Sequence, residues 1–132
     1  MQEDIVNHPK HYTSQSITLE PIDMISGFNF CVGNALKYII RAGHKGPALV
    51  DFQKAEFYLN YFIQKSNHKT GDMVVLPSHV AMLRLFADNH PILERFAQHL
   101  SSIPVAICSK EAASFLLEDV QKEIKKLEEY KD

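Results

Sequence analysis

Residues 33 to 46, GNALKYIIRAGHKG, constrain the fold more than any other stretch of the chain. Val32, Leu36, Ile39 and Ile40 recur at helical spacing, while Asn34, Lys37, Tyr38 and Arg41 fall at i, i+3, i+4 and i+7 on the opposite side. Such a run is an amphipathic helix from about Asn29 to Ala42, with its apolar stripe turned inward. Gly43 is well placed for a left-handed C-terminal cap, and Pro47 suits the first turn of a further helix reaching Lys65. The bend between them is short, so the two helices are expected to form an antiparallel pair at the centre of a small, mostly α domain.

The remaining elements are weaker. Thr18 or Glu20 caps a short helix with Pro21 in its first turn and Ile22 and Ile25 facing inward until Gly27. In the third helix Leu49, Phe52, Phe57, Leu59 and Phe62 supply more apolar bulk than one face needs, which predicts cover on two sides. The polar break SNHKTGD, residues 66–72, divides residues 1–69 from an accessory helical region, residues 70–132, of the same compact unit. Beyond it, MVVLP reads as a short strand or strut. Ser78 caps a helix to about Asp88, and Pro91 opens another to about Leu100. IPVAIC is a short strand or buried turn, and Ser109 caps a long last helix with Leu117, Val120, Ile124 and Leu127 on its inner face.

The chain of 132 residues has a formal charge of −2, which gives no general reason to expect nucleic acid as a partner. Cys31 and Cys108 lie far apart in apolar settings without a CxxC pairing, and read as reduced core thiols. The polar N-terminus has no apolar stretch behind it, so a cytoplasmic protein is expected and a membrane partner is not.

Chemistry concentrates on the second and third helices. Between Asp23 and Asp51 stand Lys37, Arg41 and Lys45 and no acid. Taken alone, Lys37 and Arg41 read as a solvated face near a helix C-terminus. With the glycine-hinged bend and Lys45 beside a new helix start, they suggest an anion pocket, although neither a Walker nor a Rossmann motif is present. Asp51, Lys54 and Tyr58 form a second polar line, and Tyr38 with Tyr58 offers a stacking wall for a base. Asp51 is an ion-pair partner of Lys54, a favourable charge in a helix first turn, or a sugar or metal contact. Glu20 and Asp23 carry ExxD spacing without a second acidic pair, so no metal site is assigned and Mg2+ is left open. His8 and His11 have HxxH spacing but no further ligand pair, and serve better as hydrogen-bonding or proton-transfer groups.

VNHPKHY at Val6 to Tyr12, Ile-x-x-Glu-x-Ile-Asp from Ile17 to Asp23, GNALKYIIRAGHK at Gly33 to Lys45 and DFQKAEFYL at Asp51 to Leu59 together resemble a small phage protein family. That family includes the SaV-like proteins of lactococcal phages and the early nucleoside monophosphate kinase of podovirus-type coliphages. The resemblance implies a phage or prophage protein that handles nucleotides, with phosphate transfer from ATP to deoxynucleoside monophosphates without a P-loop as its enzymatic form. The matching positions are His8, Pro9, His11, Tyr12, Gly33, Asn34, Lys37, Tyr38, Arg41, Gly43, Lys45, Asp51, Lys54 and Tyr58.

On that expectation Lys37, Arg41 and His11 carry catalysis. His8, Tyr12, Asn34, Tyr38, Lys45, Asp51, Lys54 and Tyr58 hold the substrate. The alternatives are a non-enzymatic protein that sequesters a nucleotide, or one that acts on a host protein through its C-terminal helices. A homo-oligomer is expected from the apolar surplus of the third and last helices.

Overall fold

The computed structural model describes residues 19–65 and 73–130. Among them six helices and one small sheet follow in the order α1 (Pro21–Ile25), α2 (Phe30–Arg41), α3 (Ala48–Lys65), β1 (Met73–Val74), α4 (Pro77–Asn89), α5 (Glu94–Ser102), β2 (Ile107–Cys108) and α6 (Lys110–Glu129), with a 3-10 turn at Pro91–Leu93 before α5. None of the helices is long and apolar enough to cross a membrane.

Capping residues explain several boundaries. Asn29 accepts the Val32 amide to start α2, and Ser109 accepts the Ala112 amide to start α6. Gly43, with φ +82, ends the α2 turn in the left-handed region that a side chain would strain. At α1 the Glu20 amide donates to the Asp23 carboxylate at 3.0 Å, so the acidic pair closes a helix start. At α4 the sequence expectation is corrected: Leu76, not Ser78, occupies the N-cap, because Pro77 fits the first turn and draws the boundary back.

The central helix is α3, packed against α2 on one side and α6 on the other. Arg41 at the end of α2 meets Asp51 in the first turn of α3, and Phe30 at the start of α2 meets Tyr58 further along α3; the pair is therefore antiparallel. Ala55, Leu59 and Phe62 of α3 join Val32, Leu36 and Ile39 of α2 and Leu116, Val120 and Ile124 of α6 in one continuous core. Leu116, Val120 and Ile124 are four apart, so the deep seam of α6 is an i, i+4 row, with Leu117 and Leu127 half-buried at its flank.

Two inward assignments fail for a geometric reason. Ile22 is 61% exposed because Met24, two residues on, takes the buried side of the single-turn α1. Phe57 is 62% exposed, since α3 buries the row Asp51, Ala55, Leu59 and Phe62 and turns Phe57 outward.

The C-terminal half closes over α1 and α6. Gly27 is buried against α4, where a Cβ would stand 2.2 Å from the His79 ring. Arg95 of α5 pairs with Glu118 and, at 3.7 Å, with Asp119 of α6, while its guanidinium lies 4.9 Å from the Phe115 ring. The strands are antiparallel, pairing Met73 with Cys108 and Val74 with Ile107, so both candidate strand segments of the sequence are used together. Cys108 is buried and Cys31 half-buried, and burial pushes the Cys31 thiol above its ordinary value.

Candidate functional site

The two polar lines of α2 and α3 meet on one flank of the antiparallel pair. Tyr38 and Tyr58 lie nearly parallel, with centroids 6.1 Å apart and 12° between planes. Three cations surround the Tyr38 ring: Lys37 Nζ at 4.6 Å, Arg41 Cζ at 5.2 Å and Lys54 Nζ at 5.3 Å from its centroid. Each such contact is worth roughly 0.5–1 kcal/mol at a solvated site, enough to hold a long side chain over the ring but too little to neutralise its charge.

Among the described residues a single acid pairs with one of them. Asp51 is 3% exposed, the only buried charged residue among those described, and its Oδ1 lies 3.4 Å from Arg41 Nε. That nitrogen is itself buried and makes no hydrogen bond among the described residues, so the two groups are held by charge rather than by an aligned bond. The Arg41 side chain as a whole is 40% exposed, so it is buried at Nε and reaches the surface elsewhere along its length. A guanidinium anchored from behind presents a planar fork suited to paired oxyanion oxygens.

The other sequence candidates separate. Asn34 donates its amide to the Phe30 carbonyl at 2.8 Å, bonding back to its own helix. Lys45 is exposed in the bend with no ion pair among the described residues. His8, His11 and Tyr12 lie outside the described residues. Asp51 is covered by protein, and the ion pair it makes is with Arg41 across the helix pair rather than with Lys54 on its own helix.

Four cavities among the described residues are lined by side chains other than Lys37, Tyr38, Arg41, Lys54 and Tyr58. Between the two polar lines Tyr38 and Tyr58 face each other, with Lys37 and Lys54 exposed beside them. No three His, Cys, Asp or Glu side chains among the described residues group to hold a metal.

Sequence reasoning missed the aromatic surface that continues from Tyr58. Phe57 approaches Tyr58 edge-on at 5.4 Å and Tyr61 at 6.4 Å, while Phe30 meets Tyr58 at 6.0 Å. The spacing of Phe57 and Tyr61, four apart beside Lys54 and Tyr58, carried that signal, but the apolar count absorbed it into the core.

A family model described as a protein of unknown function, DUF3310, matches residues 6–60. The match takes in α1, α2 and the first thirteen of the eighteen residues of α3, thus every polar residue placed around Tyr38, and stops before β1. No curated protein and no solved structure matches the chain.

Proposed function

We propose that the chain binds a nucleotide on the flank formed by α2 and α3, with its phosphate held by Lys37, Arg41 and Lys54 and its base lying against Tyr38 and Tyr58. The observation that carries this reading is the gathering of three cations within 5.3 Å of one aromatic ring while the one nearby acid is buried behind them. Cations crowded together repel one another, and an anion placed among them relieves that repulsion. An aromatic face beside them suits a ligand that is both planar and anionic. The likeness to phage nucleoside monophosphate kinases is consistent with this reading.

In its enzymatic form the site would transfer a phosphoryl group. An oxygen of the bound monophosphate attacks the γ-phosphorus of ATP, the bond to the ADP oxygen breaks, and a nucleoside diphosphate leaves. The protein's part is to place the acceptor and offset charge building on the oxygens, which Lys37 and Arg41 are positioned to do. Asp51 would act behind them, fixing Arg41, and His11 remains the candidate for proton transfer.

The test incubates the protein with ATP and each deoxynucleoside monophosphate, and in parallel measures melting with each nucleotide. A raised melting temperature that Lys37→Ala and Arg41→Ala abolish supports binding, and turnover supports the kinase. A shift without turnover supports sequestration instead. No shift with any nucleotide overturns the reading.

A further inference from the structure

The outer face of α3 is unlike the rest of the surface. Val50, Gln53, Lys54, Phe57, Tyr61 and Lys65 are exposed at i, i+3, i+4, i+7, i+11 and i+15, one stripe along the helix. It contains two cations and no acid; Glu56, the acid next to it, turns toward α6 and accepts a hydrogen bond from Gln121 at 3.2 Å. Phe57 and Tyr61 are 62% and 51% exposed, and Phe30 beside them is 74% exposed. The rings form a connected series, from Tyr38 to Tyr58, Phe57 and Tyr61, at 6.1, 5.4 and 6.4 Å.

Exposed aromatics on a water-facing helix cost solubility and are not explained by the core. A purely apolar partner would leave Lys54 and Lys65 to be desolvated without a counter-charge. A partner with flat apolar rings and negative charge at short intervals satisfies both sets of residues, and single-stranded nucleic acid has that chemistry: bases stack on aromatics while cations track the phosphates. Duplex DNA hides its base faces and leaves the rings unused, so the argument from overall charge against a duplex partner is untouched.

We propose that the α3 stripe is a stacking surface for a single-stranded oligonucleotide, its bases against Phe57 and Tyr61 and its phosphates opposite Lys54 and Lys65. Its terminal phosphate enters the cluster around Tyr38. This last point rests on the nucleotide reading above; the stripe itself does not. The site would then accept the end of a strand as well as a free nucleotide.

Fluorescence anisotropy of the full chain tests it, with a 3′-labelled, 5′-phosphorylated oligothymidylate of about ten nucleotides and a duplex of equal length as control. Saturable binding that prefers the single strand and weakens with salt is expected. Phe57→Ala and Tyr61→Ala should each weaken it at least about fivefold, with circular dichroism and the mononucleotide melting shift unchanged, because both side chains face solvent. Lys65→Ala should lower the salt dependence.

A mononucleotide shift without single-strand binding overturns the inference and leaves the nucleotide reading standing. Single-strand binding that survives Lys37→Ala, with no mononucleotide shift, removes that reading and keeps the stripe. Strand binding unaffected by Phe57→Ala and Tyr61→Ala overturns the inference. If those variants instead dissociate an oligomer in sedimentation with strand binding unaltered, the stripe is a contact between copies of the chain.

Discussion

The flank of α2 and α3 and the surface around the small sheet both expose large apolar side chains, but of different kinds. On the first flank the exposed groups are Phe30, Phe57 and Tyr61 interleaved with lysines. Around the sheet they are Val74, Leu76, Leu85 and Val105, beside a groove of about 430 Å³ lined by aliphatic residues with Ser101 and one cation, Arg84. Aromatic rings offer flat faces and a quadrupole that attracts cations, so the first surface can order charge as well as exclude water. Aliphatic groups do only the second. Only the first of the two surfaces reaches into the residues that the family model covers, and the anion site proposed above stands or falls with that difference in side-chain chemistry.

Such a division holds only while both regions share one core, and the largest expected effect probes that. Leu59 is fully buried in α3 between α2 and α6, and Leu59→Ala should cost about 2–5 kcal/mol in urea unfolding. Tyrosine fluorescence from the first flank and helical circular dichroism should move in a single transition; two separate transitions would show two independent units and break the comparison.

A smaller effect is expected at the second joint, where α1 meets α4. Gly27→Ala forces a Cβ into the His79 ring and should cost about 1–3 kcal/mol. His79→Ala in the same chain removes the ring but leaves its Cβ 2.7 Å from the new one, so it should recover only part of the loss, and a double variant no better than the single would place the strain elsewhere.

The caps give a matched pair, one in each region. Asn29→Ala at α2 and Ser109→Ala at α6 should each lower stability by about 1 kcal/mol. Equal losses sharpen the view of one cooperative unit, whereas a loss at α6 alone would mean that α2 is held by its neighbours and not by its cap.

The smallest effect is a pH dependence. Burial chiefly, and then the nearby His44 of the α2–α3 bend, pushes His90 below the ordinary histidine value. The folded state therefore favours neutral His90, and the unfolded chain binds the proton more readily. Stability from this group is complete above the unfolded pKa, near 6.5, and declines as pH falls from there toward the lowered folded value. His90→Gln should flatten that part of the stability profile, and an unchanged profile would assign the dependence to other groups.

Much of the site was readable in the chain because both helices are regular. Lys37, Tyr38 and Arg41 on α2 and Lys54 and Tyr58 on α3 had to share a flank once each helix had an apolar side to bury. Phe57 was misread for the converse reason: α3 touches two partners, and periodicity alone does not say how much of the circumference they cover. Ile22 and Met24 in α1 are ambiguous because five residues barely complete one turn.

The sequence by itself determined the helix pair, its bend at Gly43 and the caps at Asn29 and Ser109, since these depend on spacing and on backbone chemistry within a few residues. Only the tertiary structure decided that Asp51 is buried against Arg41, that three cations gather on one ring and that Gly27 seats His79. Those relations join residues from different elements, and which faces meet is set by how the whole core closes rather than by any local pattern.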